Sequence, residues 1–213
     1  MRCWRYSYLA LLRYGRPILQ RCLSVLLAVC SSSLGSSLVG PARSAAYLYL
    51  CRLLHWHLPT QDILQSYGSF ITNRRPICEN SSECIAHLFL SYPFTSKAWR
   101  VVCGLFAVSF QTFDTVMDMW LFVSCWSFCP QIFQLWVAAV LYTWDFIWHS
   151  RNLQVFQEKQ FTFHHYLTSL IGWLCMVSII AKSHIGYATS DLSILRGLGV
   201  QGRPRLAVPL YLS

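Results

Sequence analysis

Apolar and polar positions along this 213-residue chain recur mostly with the 3.6-residue period of helices. A first helix fits Ser44 to His57, because Ala46, Leu50, Leu53, Leu54 and His57 share one face. Pro59 ends it, and Thr60 is a good N-cap for a short helix from Gln61 to Tyr67. Asp62 in its first turn suits the helix dipole, and Gly68 can close it. Asn73-Arg74-Arg75-Pro76 reads as a turn or loop. Ser81 or Ser82 caps the next helix, which buries Ile85, Leu88 and Phe89 and stops at Pro93. Thr95 then caps another, with Trp99, Val102, Cys103 and Phe106 on one stripe. Residues 107–129 are aromatic and resist assignment.

Pro130 suits the first turn of a long helix running to about Phe156. Its stripe is Ile132, Trp136, Ala139, Val140, Thr143 and Ile147, and the opposite side is also apolar as far as Trp144. The switch to polar residues comes at Asp145, His149, Arg151 and Asn152. A last helix covers about Phe163 to Lys182, aligning Leu167, Leu170, Ile171, Leu174 and Ala181. No repeat and no sustained strand alternation is present. The expected fold is mainly α, a small irregular helical bundle with disordered tails.

The two ends read differently. Arg2, Arg5, Arg13, Arg16 and Arg21 precede an apolar run, 22–30, and small residues, 31–37. This imitates a secretory signal, but the basic region is too long and lacks a clean cleavage site. An unstructured or truncated leader over residues 1–40 is the favoured reading. Gly and Pro thicken after Ile185, and residues 196–213 are expected to be a disordered tail.

Composition adds a need for company. Only 12% of residues are charged, against about 25% in ordinary soluble domains, while 55% are hydrophobic. Such a chain exposes apolar surface that a partner, a membrane or the rest of a larger protein must cover. The 17 Lys and Arg against 8 Asp and Glu leave a net charge of +9. That suits nucleic acid or anionic lipid, and equally a fragment whose acidic part lies elsewhere. Ten cysteines are scattered, and Cys103, Cys125, Cys129 and Cys175 lie within apolar helical runs. They read as buried free thiols in a reducing compartment, nuclear or cytoplasmic.

Cys84 stands three residues before His87, so one helix face can carry both. The surrounding pattern is Leu53-Leu54-His55-x-x-Leu58-Pro59-Thr60, then Cys78, then Glu83-x-x-x-His87-Leu88-Phe89, then Pro93-Phe94 and Trp99. In order and spacing it resembles the reverse transcriptase zinc-binding domain of plant LINE-type (non-LTR) retrotransposon polyproteins. There that domain lies between the polymerase and a ribonuclease H domain. The likeness covers residues 41–106. It continues more loosely over 107–195, through Trp144-x-x-x-Trp148-x-x-Arg151-Asn152-x-x-x-Phe156, which resembles the following helix. Asp191-Leu192-Ser193-Ile194-Leu195 resembles the connector leading to ribonuclease H.

The resemblance implies zinc, held by Cys-x-x-Cys and His-x-x-x-x-Cys. Cys78 and His87 match, whereas Arg75 and Tyr92 occupy the other two positions. Neither replacement is a useful zinc ligand. One reading is a rebuilt site from Cys78, Cys84 and His87, with a fourth ligand from Cys103, His55, His57 or water. The other, favoured, is a degenerate zinc-binding turn held by packing, with Cys84 an ordinary thiol. The resemblance also implies nucleic acid as a partner, together with the missing polymerase and ribonuclease H parts. Arg74, Arg75, Lys97 and Arg100 could form a nucleic-acid patch, although a solvated face is the favoured reading for so few charges. His164-His165 reads as a solvated helix start.

Catalytic chemistry is not expected. The eight carboxylates are scattered, with no Asp-Asp pair for two-metal catalysis, no Gly-rich phosphate loop and no Gly-x-Ser-x-Gly. The sequence reads best as a non-catalytic remnant of a retrotransposon polyprotein. The rival is a small integral membrane protein with one to three transmembrane helices. Residues 119–144 and 166–181 lack charge, and a span needs about 20 predominantly apolar residues. Carbonate extraction distinguishes the two readings.

Overall fold

A computed structural model of the chain describes residues 53, 58–68, 83–180 and 189–202. Among these, 73% are helical and none lies in a strand. The architecture is a mainly α bundle, as the periodicity predicts. Its helices are α1 (Gln61–Ser66), α2 (Pro93–Leu105), α3 (Val116–Ser124), α4 (Pro130–Gln157), α5 (Phe163–Ile180) and α6 (Thr189–Gly197). A π-helical turn, His87–Ser91, precedes α2. The expected helix over 44–57 lies outside the described residues, apart from the buried Leu53.

The long helix α4 is the axis. It packs along α5 and also meets the π-turn, α2, α3 and α6. Pro130 stands in its first turn, where a missing N–H costs nothing. The expected stripe is buried, but so are Gln131, Gln134, Val137, Ala138 and Trp144 on its other sides. A helix surrounded by neighbours must be apolar all round, which is why its first four turns carry no polar face. Beside it α5 buries Tyr166, Leu170, Leu174 and Val177, while Leu167 and Ile171 are half-buried.

Several expectations need correction. Pro93 does not merely stop one helix; it starts the next at once, with Tyr92 held in the extended conformation that a following proline favours. Thr95 is therefore inside α2 and is no N-cap. It is fully buried, and its hydroxyl donates to the Leu88 carbonyl at 2.8 Å. Residues 107–129 contain α3, capped by Thr115, whose Oγ1 accepts from the Asp118 N–H at 3.0 Å. The charge-free run 119–144 is not one helix, because residues 125–129 separate α3 from α4. Among the described residues, no helix is long and apolar enough to cross a membrane. Residues 196–202 are no loose tail: α6 continues into the buried Leu198 and Val200, and Gln131 Nε2 donates to the Gln201 carbonyl at 3.0 Å. Of the four thiols expected inside, only Cys103 is fully buried. Cys129 and Cys175 are half-buried, and Cys125 is exposed at the end of α3.

Candidate functional site

Cys84 and His87 sit on one turn, as their spacing predicts. The His87 backbone N–H points at Cys84 Sγ, 3.4 Å away, and the Leu88 N–H reaches the Cys84 carbonyl at 2.9 Å. The helix then widens by one residue, and the Tyr92 N–H reaches the His87 carbonyl at 2.7 Å. Ser91 Oγ lies 3.2 Å from His87 Nδ1, which orients the imidazole. The Tyr92 ring meets the imidazole edge-on, with centroids 6.2 Å apart.

The wide turn leaves successive carbonyls for α2 to satisfy. Leu88 receives the Thr95 hydroxyl, Phe89 the Trp99 indole N–H at 2.7 Å, and Leu90 the Ser96 hydroxyl at 3.3 Å. A buried carbonyl without a partner would cost about 1–3 kcal/mol, so these three side chains fix the turn against α2.

Cys78, His55 and His57 lie outside the described residues, as do Arg74 and Arg75. Among the described residues no three His, Cys, Asp or Glu side chains come together to hold a metal. Cys84 and His87 supply two donors, and zinc needs four. Cys103 does not join them. It faces the core from α2, and burial pushes its thiol up from 9.0 to about 11, favouring the protonated form.

Behind the turn lies a feature that periodicity missed. Arg151 belongs to the expected polar switch on α4, yet it is buried and paired with Glu83, 68 residues away. Arg151 Nε donates to both Glu83 carboxylate oxygens at 3.1 Å, and Nη2 donates to Oε1 at 2.5 Å. Nη1 is taken by Asn152 Oδ1 at 3.1 Å. The guanidinium lies 5.4 Å from the Trp148 ring centre, and Trp148 stacks on Phe89. Glu83 also accepts the Gln61 backbone N–H at 3.3 Å, and its carbonyl accepts the Asp62 N–H at 3.4 Å. One buried carboxylate therefore ties the start of α1 and the Cys84–His87 turn to the last third of α4. A Glu–Arg pair so far apart in sequence has no period, and only the fold brings it together.

The cationic patch is not assembled among the described residues. Lys97 Nζ lies 4.2 Å from the Phe163 ring centre, and the Arg100 guanidinium lies 5.6 Å from that of Phe110. The described residues contain five Lys and Arg (97, 100, 151, 159, 196) against seven Asp and Glu, so 5 − 7 gives −2. The rest of the chain holds 17 − 5 = 12 cations and 8 − 7 = 1 acid, a balance of +11. His164 and His165 are exposed at the start of α5, in line with a solvated helix end.

No family model matches the chain, and no curated protein or solved structure is detectably similar to it.

Proposed function

We propose that this chain is a non-catalytic remnant of a retrotransposon reverse transcriptase polyprotein, carrying its zinc-binding region and the helix that follows. One observation carries the reading: the two groups of residues behind the resemblance pack against each other pair by pair. Trp99 meets Trp144, Phe89 stacks on Trp148, and Glu83 pairs with Arg151. Partners on α4 advance from 144 to 151 while those on the first group retreat from 99 to 83. Two separate coincidences of motif would not require such a matched antiparallel register. The turn that would hold zinc is instead braced by Thr95, Ser96, Trp99 and the Glu83–Arg151 pair, so packing can replace the metal as the source of order. Nucleic-acid contact in this reading belongs to the segments outside the described residues, which carry +11 against −2 for the described ones.

Two measurements on the full chain test the proposal. Zinc content, by elemental analysis beside a Cys84→Ser variant, is expected to stay well below one per chain in both. A full zinc per chain that disappears on Cys84→Ser would replace the decayed turn with a rebuilt site. Single-stranded RNA binding, followed by anisotropy, is expected to weaken with a log–log salt slope of about −3, as for four or five phosphate contacts. RNA that fails to bind even at low salt would remove the nucleic-acid role.

A further inference from the structure

A partly open pocket of about 120 Å³ lies between the π-turn, α2, residues 110–113, α3 and Trp136 of α4. Its walls are aromatic: Trp99, Phe110, Phe113 and Trp136 line it, with the Cys103 thiol among them. Arg100 is its one charged lining residue. The guanidinium lies 5.6 Å from the Phe110 ring centre, and its N–H groups have no protein acceptor among the described residues. An apolar cavity of roughly 150 Å³ is known to take one benzene ring, so this volume suits a single ring. Ser91, Ser96, Gln111 and Thr112 add neutral polar groups to the lining, and an apolar, aromatic wall with a few polar groups is the usual construction of a small-molecule site. A lone cation with no acid beside it selects for negative charge and against amines.

We propose that this pocket binds a small one-ring aromatic carboxylate. The ring lies among Trp99, Phe110, Phe113 and Trp136, and the carboxylate accepts hydrogen bonds from Arg100. The site adjoins the Cys84–His87 turn through Leu90 and Ser91 and does not depend on the origin of the chain.

The test is calorimetric titration of the full chain with benzoate and with benzyl alcohol, its neutral counterpart. Benzoate is expected to bind one to one with a Kd on the order of 0.1–1 mM, as few atoms allow no more. Benzyl alcohol should bind about tenfold more weakly, the difference that one charge-assisted hydrogen bond makes. Arg100→Gln, an exposed change, should abolish that preference and leave the alcohol's affinity as it was. Cys103→Phe should fill the pocket and remove both ligands. Should that variant not fold, Phe110→Ala, outside the helices, should weaken both. Equal binding of acid and alcohol, a preference that survives Arg100→Gln, or no binding of either probe would each overturn the proposal.

Discussion

Arg151 takes its meaning from its neighbours rather than from its position. On the helical wheel of α4 it belongs with Asp145, His149 and Asn152, yet it is only 6% exposed and makes three hydrogen bonds to Glu83. Removing one partner strands the other charge in the core. Arg151→Met is expected to lower the unfolding free energy by about 3–5 kcal/mol, read from urea midpoints. The double variant Glu83→Leu with Arg151→Met should recover most of that loss, because neither buried charge remains. A second residue-scale effect is backbone strain at Ala107, which ends α2 with φ 54°. Its N–H reaches the Gly104 carbonyl at 3.2 Å, and that of Val108 reaches Cys103 at 2.9 Å, a Schellman closure that favours glycine. Ala107 is exposed, so Ala107→Gly loses no packing. It should stabilise the chain by about 0.5–1 kcal/mol in the same urea experiment.

At the scale of elements, the sequence was legible wherever a local signal and a long apolar stripe agreed. Pro130 and the stripe from Ile132 to Ile147 identify α4, and Thr60 before Gln61 identifies α1. Even there the detail differs. The Thr60 hydroxyl donates to Asp62 Oδ1 at 2.6 Å and makes no cap bond to the α1 backbone. The missed helix α3 had a signal, Thr115-x-x-Asp118 before an apolar run, the pattern of a capping box with Asp in the last place. Phe110, Phe113, Phe122, Trp126 and Phe128 around it blurred the period, since aromatics fill both helices and loops here. Thr115→Ala is expected to cost about 1 kcal/mol in thermal or urea unfolding, with Thr115→Ser close to neutral. The join at Tyr92–Pro93 illustrates the opposite failure. Proline both ends and begins helices, and which it does here depends on α2 side chains reaching back to the π-turn.

Among the described residues one core takes in the π-turn, α2, α3, α4, α5 and α6. Its buried protons give it a distinctive response to alkali. Burial raises the Cys103 thiol from 9.0 to about 11, and raises Tyr166 above its usual range despite the opposing hydrogen bond to Thr143. The folded state keeps protons that the unfolded chain releases, so the thiol's contribution is complete below pH 9 and is lost as pH climbs toward 11, while the phenol's begins to be lost only above pH 10. For Cys103 the loss is on the order of 2 kcal/mol. Urea midpoints between pH 8 and 11 should fall steeply in the parent chain. The fall should be shallower in Cys103→Val, with the remainder reduced further by Tyr166→Phe.

By itself, the sequence determined the helical class, the long axis α4, the start of α1 at Gln61 and the placing of Cys84 with His87, because each follows from neighbours within a turn or two. It also determined the net charge, although not its location. Only the tertiary structure decided that Arg151 is buried on Glu83, that Thr95 closes a carbonyl rather than a helix end, and that Cys103 belongs to the core instead of joining Cys84 and His87. These depend on which chain segments, tens of residues apart, exclude water together. A periodic pattern records which face of a helix is apolar. What that face meets is settled only when the other helices close over it.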